Sequence, residues 1–325
     1  MTYPSTLALP RRRGEGGKAE EGGRERKGEG EEGIMAVGQR KYGMGWIPDY
    51  PDFRDYTERT EEVKQVFESA GVVQARALPA SVDLREWCSP VEDQGMIGSC
   101  TAHAGAGIIE YYERKSFGRH IDASRLFLYK VTRNLMKMKG DTGAFLRSTM
   151  GAMVLFGVPP EEYWPYTADE KGFDKEPPAF CYAFAQNYQT VKYFRHDPPG
   201  TKAEEILRKV KTYLSKGHPA MFGFTVYNSI EQAEKTGRIP FPSPKERIEG
   251  GHAIVAIGYD DKMKIRNQYG KIETTGALLI RNSWGQGWGE EGYGWLPYEY
   301  VLRALAEDFW SVLKKEWIDT GQFSE

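Results

Sequence analysis

The chain has 325 residues, of which 40% are hydrophobic and 28% charged, enough for one large domain or two small ones with a sizeable core. Its 44 basic and 46 acidic residues give a formal net charge of −2, so no long-range field attracts nucleic acid or anionic lipid. No apolar run approaches the roughly 18 residues that a spanning helix needs. We therefore expect a soluble, unexported, cytoplasmic protein with no nucleic-acid or membrane partner.

The cysteines are Cys88, Cys100 and Cys181, an odd and sparse set that does not indicate a disulfide framework. At least one of them should be a free thiol. They also lack the spacing of a zinc site, and the chain has no phosphate-binding loop or dinucleotide fingerprint. We expect no metal and no cofactor.

Residues 1–40 are predicted to be a disordered leader, because residues 14–33 contain only Gly, Glu, Lys, Arg and Ala19. Translation from Met35 would lose nothing that can fold. Residues 41–80 form a different segment, rich in aromatic side chains spaced by proline and aspartate, which we call the arm. The arm either covers a binding groove or packs permanently behind the fold. Residues 81–325 are predicted to be the main domain.

Within the main domain, the pattern predicts helices first and strands later. A short strand at 81–85 precedes helices at 100–117, 124–139 and 144–156, which end at glycines. A fourth helix is predicted at 201–216, with a capping box of Thr201 and Glu204. Four strands follow, at 219–226, 253–259, 277–281 and 292–296. This order indicates an α+β protein with a helical lobe and a sheet lobe.

Cys100 is a candidate nucleophile because it stands at the predicted start of a helix. The partial positive charge of a helix N-terminus stabilises a thiolate. A nucleophilic thiolate needs a base, and His252 follows two glycines at the start of an apolar strand, an unexpected place for a polar side chain unless it faces a cleft. His103, three residues after Cys100, is expected to pack or to bond locally. The remaining histidines, His120, His196 and His218, look ordinary.

Asn282 ends another apolar strand and is followed by Trp284. A side-chain carbonyl at this position can hold one imidazole nitrogen so that the other faces sulfur, and Trp284 would cover that bond from water. The alternative is a glycine-rich turn with aromatic packing.

Three motifs together resemble the papain-like cysteine peptidases, in the bacterial and archaeal branch. They are Gln-Gly-x-x-Gly-Ser-Cys at 94–100, Gly-His-Ala at 251–253 and Asn-Ser-Trp-Gly at 282–285, in the order of the family. The resemblance implies a two-lobe fold, with a helical lobe and an antiparallel sheet or barrel lobe and the active-site cleft between them. It extends over roughly residues 81–325, with residues 262–275 as a lengthened surface hairpin.

The resemblance also implies the roles of individual residues. Cys100 would be the nucleophile, His252 the base and then the acid, and Asn282 the orienting group, while Gln94 and the Cys100 N–H would form the oxyanion hole. Cys100 and His252 would rest as a thiolate–imidazolium pair. Thr101 stands where the family usually has tryptophan, and Ile97 where it usually has a bridging cysteine, which fits a reducing compartment.

The expected partner is a peptide or protein substrate in extended conformation, and the oligomeric state stays open. The resemblance places a backbone-binding segment at Gly143 and Ala144. Phe145 and Leu146 would then line an apolar side-chain pocket, unless they are core residues of the following helix. The full predicted substrate-binding set is Gly143, Ala144, Phe145, Leu146, Gly251, Ala253 and Trp284. The predicted activity is peptide hydrolysis through an acyl-thioester; a transglutaminase-like transamidase and a catalytically silent binding module are the alternatives.

Overall fold

The computed structural model describes residues 42–61, 63–64, 77–119, 121–188 and 192–313. The predicted leader at 1–40, most of the arm after residue 61 and His120 lie outside these residues. The described residues all belong to one compact unit. Within the described ranges, no helix combines the length and the apolar character needed to cross a membrane.

Six helices are present in the part of the chain that the structure describes. They are α1 (Cys100–Phe117), α2 (Arg125–Leu135), α3 (Leu146–Leu155), α4 (Ala179–Ala185), α5 (Ala203–Ser215) and α6 (Tyr298–Leu302). The first three pack against one another and form the centre of the helical lobe. Short 3-10 turns lie between some of these elements.

The described residues also form seven strands that make one antiparallel sheet. The strands are β1 (Ser81–Asp83), β2 (Lys192–Arg195), β3 (Ala220–Tyr227), β4 (Ile248–Arg266), β5 (Glu273–Arg281), β6 (Tyr293–Pro297) and β7 (Ala306–Leu313). The order across the sheet is β2-β7-β3-β4-β5-β6, and β1 pairs with β4 beside this path. The protein is therefore α+β with two lobes, as the sequence predicts.

Helix α1 is the element that joins the lobes, because it packs against both the other helices and β4. Its small residues make this close packing possible. A Cβ atom at Gly105 would lie 3.0 Å from side-chain atoms of Leu128 and Met153, and one at Gly107 would lie 3.0 Å from the Arg281 guanidinium. The helix ends at Gly118, whose φ of 65° is a left-handed conformation that favours glycine.

The predicted elements are largely found, with three corrections. Helix α1 has the predicted bounds, and the hairpin at 262–275 is formed by the extended ends of β4 and β5. The capping box at Thr201 is wrong, because α5 begins at Ala203 with Lys202 as its N-cap and no side-chain cap. Elements α4, β2, α6 and β7 were not predicted. Strands β4 and β5 are both longer than predicted.

Candidate active site

Cys100 is the first residue of α1 and is fully buried where this helix meets the sheet. Its Sγ accepts a hydrogen bond of 3.4 Å from the backbone N–H of Ala253 on β4. The predicted nucleophile and the residue after the predicted base are therefore in contact across the two lobes.

His252 lies on β4 and is held on two sides. Its Nε2 is 2.8 Å from Oδ1 of Asn282, which follows the last residue of β5. Its ring stacks on Trp284 with 4.6 Å between centroids and 23° between planes. The other ring nitrogen, Nδ1, is buried without a hydrogen-bond partner. The predicted bond between His252 and Asn282 and its cover by Trp284 are thus present.

Arg281, the residue before Asn282, belongs to a buried network that was not predicted from the sequence. The Arg281 guanidinium donates to Ser89 Oγ at 2.7 Å and to the Pro90 carbonyl at 2.8 Å, and it lies 3.7 Å from Glu110 on α1. This buried network ties the end of β5 to the helix that carries Cys100.

Gln94 is fully buried, and its amide is engaged on both sides. Its Nε2 donates to the carbonyl oxygens of Ile97 at 2.9 Å and Gly43 at 3.0 Å. Its Oε1 accepts from the Ser283 hydroxyl at 2.6 Å. The bond from Ser283 fixes the orientation of the amide, so that Nε2 is the donor. The Gly43 carbonyl oxygen of the arm accepts one of its hydrogen bonds.

The arm lies in the cleft between the lobes over residues 42–47, with an isolated β-bridge between Trp46 and Ala144. Tyr42 stacks on Trp284 with 4.5 Å between centroids. Further along, the Ala144 N–H donates to the Gly45 carbonyl at 2.7 Å, and Ile47 donates to the Ala144 carbonyl at 3.1 Å. Trp46 donates to the Gly251 carbonyl at 3.1 Å. The predicted backbone-binding residue Ala144 therefore does bind an extended chain, and that chain is the protein's own arm.

Glycines let the arm pass the narrowest part of the cleft. A Cβ atom at Gly45 would lie 1.9 Å from the Gly98 carbonyl oxygen, and one at Gly43 would lie 2.3 Å from the Ile97 carbonyl oxygen. On the opposite wall, a Cβ at Gly143 would lie 2.2 Å from the Gly45 oxygen, and Gly143 also has a φ of 73°. The alternation Gly43-Met-Gly45 was the sequence signal for this placement, and our sequence analysis did not use it.

Salt bridges fasten the arm just beyond the cleft. Arg147 on α3 pairs with Asp49 and, at 2.7 Å, with Asp55. The backbone N–H of Arg195 on β2 donates to the Tyr56 carbonyl at 2.8 Å. Two acidic residues of the arm are thus bound to one arginine of the helical lobe.

Burial shifts the pKa values of the Cys100 thiol and the His252 imidazole. It raises the pKa of the Cys100 thiol to about 11, although backbone N–H groups, including those of Ala253 and Gly45, oppose the shift. It lowers the pKa of His252 to about 4, against the opposing effect of the bond to Asn282. Both shifts favour the neutral side chains, because burial disfavours each charge. The thiolate–imidazolium pair stays a prediction.

The remaining predicted substrate-binding residues differ in their surroundings. Phe145 is the partly exposed residue before α3, whereas Leu146 is fully buried in the hydrophobic core. Leu146 is therefore a core residue of the helix and not part of a side-chain pocket, which is the second of the two alternatives predicted for it. The side chain that the arm inserts, Trp46, instead contacts Gly251 and Gly223, and its indole N–H reaches Asp308. Neither Gly223 nor Asp308 was predicted from the sequence.

The other histidines and cysteines have structural surroundings. His103 bonds locally, with Nδ1 at 3.1 Å from the Ser99 carbonyl, as predicted. His196 bonds Ser311, and His218 bonds Tyr112. All three cysteines are free and buried. Among the described residues, the carboxylates of Glu92, Asp122 and Glu161 lie close enough together to share a metal ion. Arg125 already forms ion pairs with all three.

A buried cysteine at a helix N-terminus touches the residue that follows His252, and His252 is bonded to Asn282, which fits a cysteine peptidase. Comparisons with known proteins agree with this class. Residues 78–301 match the family model described as papain family cysteine protease. The chain therefore belongs to the papain family of cysteine proteases.

Individual relatives are similar over most of the domain. The solved structure of xylellain, a cysteine protease from Xylella fastidiosa, is 36% identical, with a TM-score of 0.67, covering 86% of this chain and 99% of that one. The uncharacterized peptidase C1-like protein L477 of Acanthamoeba polyphaga mimivirus is 35% identical over 226 residues, 68% of each chain. Cathepsin B-like CP3 of Giardia intestinalis is 28% identical, covering 69% of this chain and 70% of that one.

Proposed function

We propose that this protease hydrolyses peptide bonds with Cys100 as nucleophile, His252 as base and then acid, and Asn282 as the group that orients the imidazole. The observation that carries the proposal is the 2.8 Å hydrogen bond in which His252 Nε2 donates to Asn282 Oδ1, which leaves Nδ1 buried and without a partner. The Cys100 sulfur accepts a hydrogen bond from the backbone N–H of Ala253, the residue that follows His252 in the sequence.

In the first half of the reaction, the sulfur attacks the carbonyl carbon of the substrate while the thiol proton passes to His252. The tetrahedral intermediate then collapses, the carbon–nitrogen bond breaks, and His252 gives the proton to the leaving amine. In the second half, water attacks the acyl-thioester, releases the carboxylic acid and restores the thiol.

The negative oxygen of each tetrahedral intermediate needs donors that are already in place. We propose Gln94 Nε2 and the Cys100 N–H for this role. The Ser283 bond that orients the Gln94 amide supports it, since a preorganised donor is worth about 3 kcal/mol in the transition state. The substrate would displace the Gly43 carbonyl that this amide now binds.

We also propose that the arm at 42–47 holds the enzyme inactive until it leaves the cleft. The arm passes close to the start of α1, since a Cβ at Gly45 would lie 1.9 Å from the carbonyl oxygen of Gly98, two residues before Cys100. The pairing of the arm's backbone with Ala144 also supports a substrate that binds in extended conformation.

The test is the reaction of the full chain with an epoxide inhibitor of papain-like peptidases, followed by peptide mapping with mass spectrometry. We expect an adduct on Cys100, formed faster in a Gly45→Ala chain that cannot seat the arm, and none on Cys88 or Cys181. The Cys100→Ala chain is the matched control and should stay unmodified and inactive on peptides. Adducts on the other cysteines, or an active Cys100→Ala chain, would refute the assignment.

The family match favours neither of the alternatives. A transglutaminase-like transamidase normally has aspartate at the position of Asn282, and it would incorporate an amine into a glutamine peptide in the same assay. A silent binding module would bind peptides without cutting them. A cytoplasmic location stays our prediction.

A further inference from the structure

The turn from Gln94 to Cys100 holds both proposed oxyanion donors, and the hydroxyl of Tyr166 joins its two ends. This hydroxyl donates to the Gln94 carbonyl oxygen at 2.8 Å. The same hydroxyl lies 2.7 Å from Oγ of Ser99, the residue before Cys100. A single phenol group therefore contacts the first residue of the 94–100 turn and the residue next to the nucleophile.

The directions of these bonds follow from the number of protons. A carbonyl oxygen can only accept, so the one hydroxyl proton of Tyr166 goes to Gln94, and the Ser99 hydroxyl donates to Tyr166. Ser99 is the N-cap of α1, yet its side chain makes no cap bond to the helix. A serine at an N-cap ordinarily accepts from the backbone of the first turn. Here that hydroxyl is bound to Tyr166 instead.

The peptide group between Ser99 and Cys100 is held from its other side. Its carbonyl oxygen accepts from the backbone N–H groups of Ala102 at 3.0 Å and His103 at 3.1 Å. Nδ1 of His103 donates to the same oxygen at 3.1 Å. The Cys100 N–H belongs to this planar group, so these bonds fix its direction. The His103 ring also packs edge-on against Tyr166, with 5.0 Å between centroids.

We infer that Tyr166 is a positioning residue for the oxyanion hole. The inference rests on the proposed function, in which Gln94 Nε2 and the Cys100 N–H bind the negative oxygen. Tyr166 acts through the 94–100 turn, because its hydroxyl sets the spacing of the two residues that bear or adjoin these donors. Donors that are in place before the reaction need no reorganisation when the charge develops. A displacement of about 1 Å can lower a rate about a hundredfold.

The test is Tyr166→Phe in the full chain carrying Gly45→Ala. Phenylalanine keeps the ring, and with it the contacts to His103 and to the Arg125 guanidinium, 5.2 Å from the ring centroid. We expect kcat for a short peptide to fall about tenfold or more and KM to stay within about threefold, because the donors act mainly in the transition state. Unchanged kcat, with or without a raised KM, would overturn the inference.

Alkylation of Cys100 separates positioning of the donors from general damage to the site. In the reaction with iodoacetamide, the sulfur–carbon bond forms as the carbon–iodine bond breaks and iodide leaves, so no negative oxygen develops. The labelling rate should therefore stay within about twofold in Tyr166→Phe, since this reaction does not use the oxyanion donors. A parallel fall in labelling and kcat would count against the inference.

Tyr112→Phe is the matched control. The Tyr112 hydroxyl also has two partners, Nδ1 of His218 at 3.0 Å and the Val312 carbonyl at 3.2 Å. It lies about 18 Å along α1 from Cys100, so its loss should change neither kcat nor the labelling rate. If Tyr112→Phe lowered kcat as much as Tyr166→Phe, the effect would not be specific to the turn and the inference would fall.

Two further variants test the route of the effect. In a Gln94→Ala background, Tyr166→Phe should lower kcat about threefold or less, because residues that act as a unit are not additive; equal losses in both backgrounds would overturn the inference. If Tyr166→Phe fails to fold, Ser99→Ala removes the bond to Tyr166 from the other side. It should lower kcat about threefold or more with unchanged labelling, and a full rate would refute the inference.

Failure of the proposed function can be told apart from failure of this inference. If Gln94→Ala lowers kcat and Tyr166→Phe does not, the function stands and the inference falls. If the Gly45→Ala chain hydrolyses no peptide, the function falls, and affinity for a peptide aldehyde decides the inference. There the Cys100 sulfur bonds to the aldehyde carbon, the carbonyl π pair moves to oxygen and the thiol proton passes to His252. Tyr166→Phe should weaken this binding about tenfold or more; equal binding, or none by either chain, would overturn the inference.

Discussion

Replacing Gly45 by alanine should open the cleft. The added methyl group would lie 1.9 Å from the Gly98 carbonyl oxygen, which is backbone and cannot move aside as a flexible side chain would. Overpacking of this kind costs about 1–3 kcal/mol. Since 1.4 kcal/mol changes an equilibrium constant tenfold, the open population should rise about 5- to 150-fold, up to full opening. The clash is confined to the closed arrangement, so stability of the lobes should change little.

Two assays report on this change. One is kcat/KM for a short peptide at substrate concentrations well below KM, and the other is the rate of iodoacetamide labelling at Cys100, which is fully buried in the closed chain. Both should rise by the same factor, and Gly287→Ala should change neither, because a methyl group there meets open space. If Gly45→Ala matched the unmodified chain in both assays, the arm would not occupy the cleft in solution.

Three further outcomes are expected. Gln94→Ala in the Gly45→Ala chain should lower kcat about a hundredfold or more with little change in KM, since the amide acts mainly in the transition state; a raised KM with unchanged kcat would make it a binding residue. Dithiothreitol should leave the melting temperature unchanged, because Cys88 and Cys181 are free thiols; a drop of several degrees would reveal a disulfide. Burial lowers the pKa of His218 to about 4 from an ordinary 6.5, so the unfolded chain takes up a proton at this histidine before the folded chain does. The contribution of His218 to the free energy of unfolding is therefore complete above about pH 6.5 and is lost as the pH falls towards 4. The melting-temperature advantage over His218→Gln should shrink over that range, and a constant advantage would contradict the shift.

The parts of the site that the sequence predicts are those with local signals. Cys100 follows a glycine-rich turn and opens a helix of small residues, and His252 and Asn282 interrupt or end apolar strands. These patterns depend on residues within about one helical turn or one strand, so they can be read without the fold. The antiparallel sheet then brings the neighbouring strands β4 and β5 together, and with them the histidine and the asparagine.

The parts that escaped prediction depend on contacts between distant segments. Trp46 meets Asp308 across 262 residues, and no local pattern links them. The burial that shifts the pKa values of Cys100 and His252 depends on the packing of the whole fold. The position of the arm, in the cleft or on the back of the fold, was left open for the same reason. The misplaced capping box at Thr201 was a local error, since the helix begins without a side-chain cap.

The glycine-lined passage for the arm has a consequence for how the cleft discriminates between peptides. Arm and cleft belong to one chain, so dilution of the protein does not separate them, and a tethered segment acts at an effective concentration on the order of millimolar. Under the proposed inactivation by the arm, a peptide must outcompete this fixed internal ligand to reach Cys100. Weakly binding peptides are therefore kept out at any enzyme concentration, and the seated Gly45 and Trp46 set an affinity threshold that a substrate has to exceed.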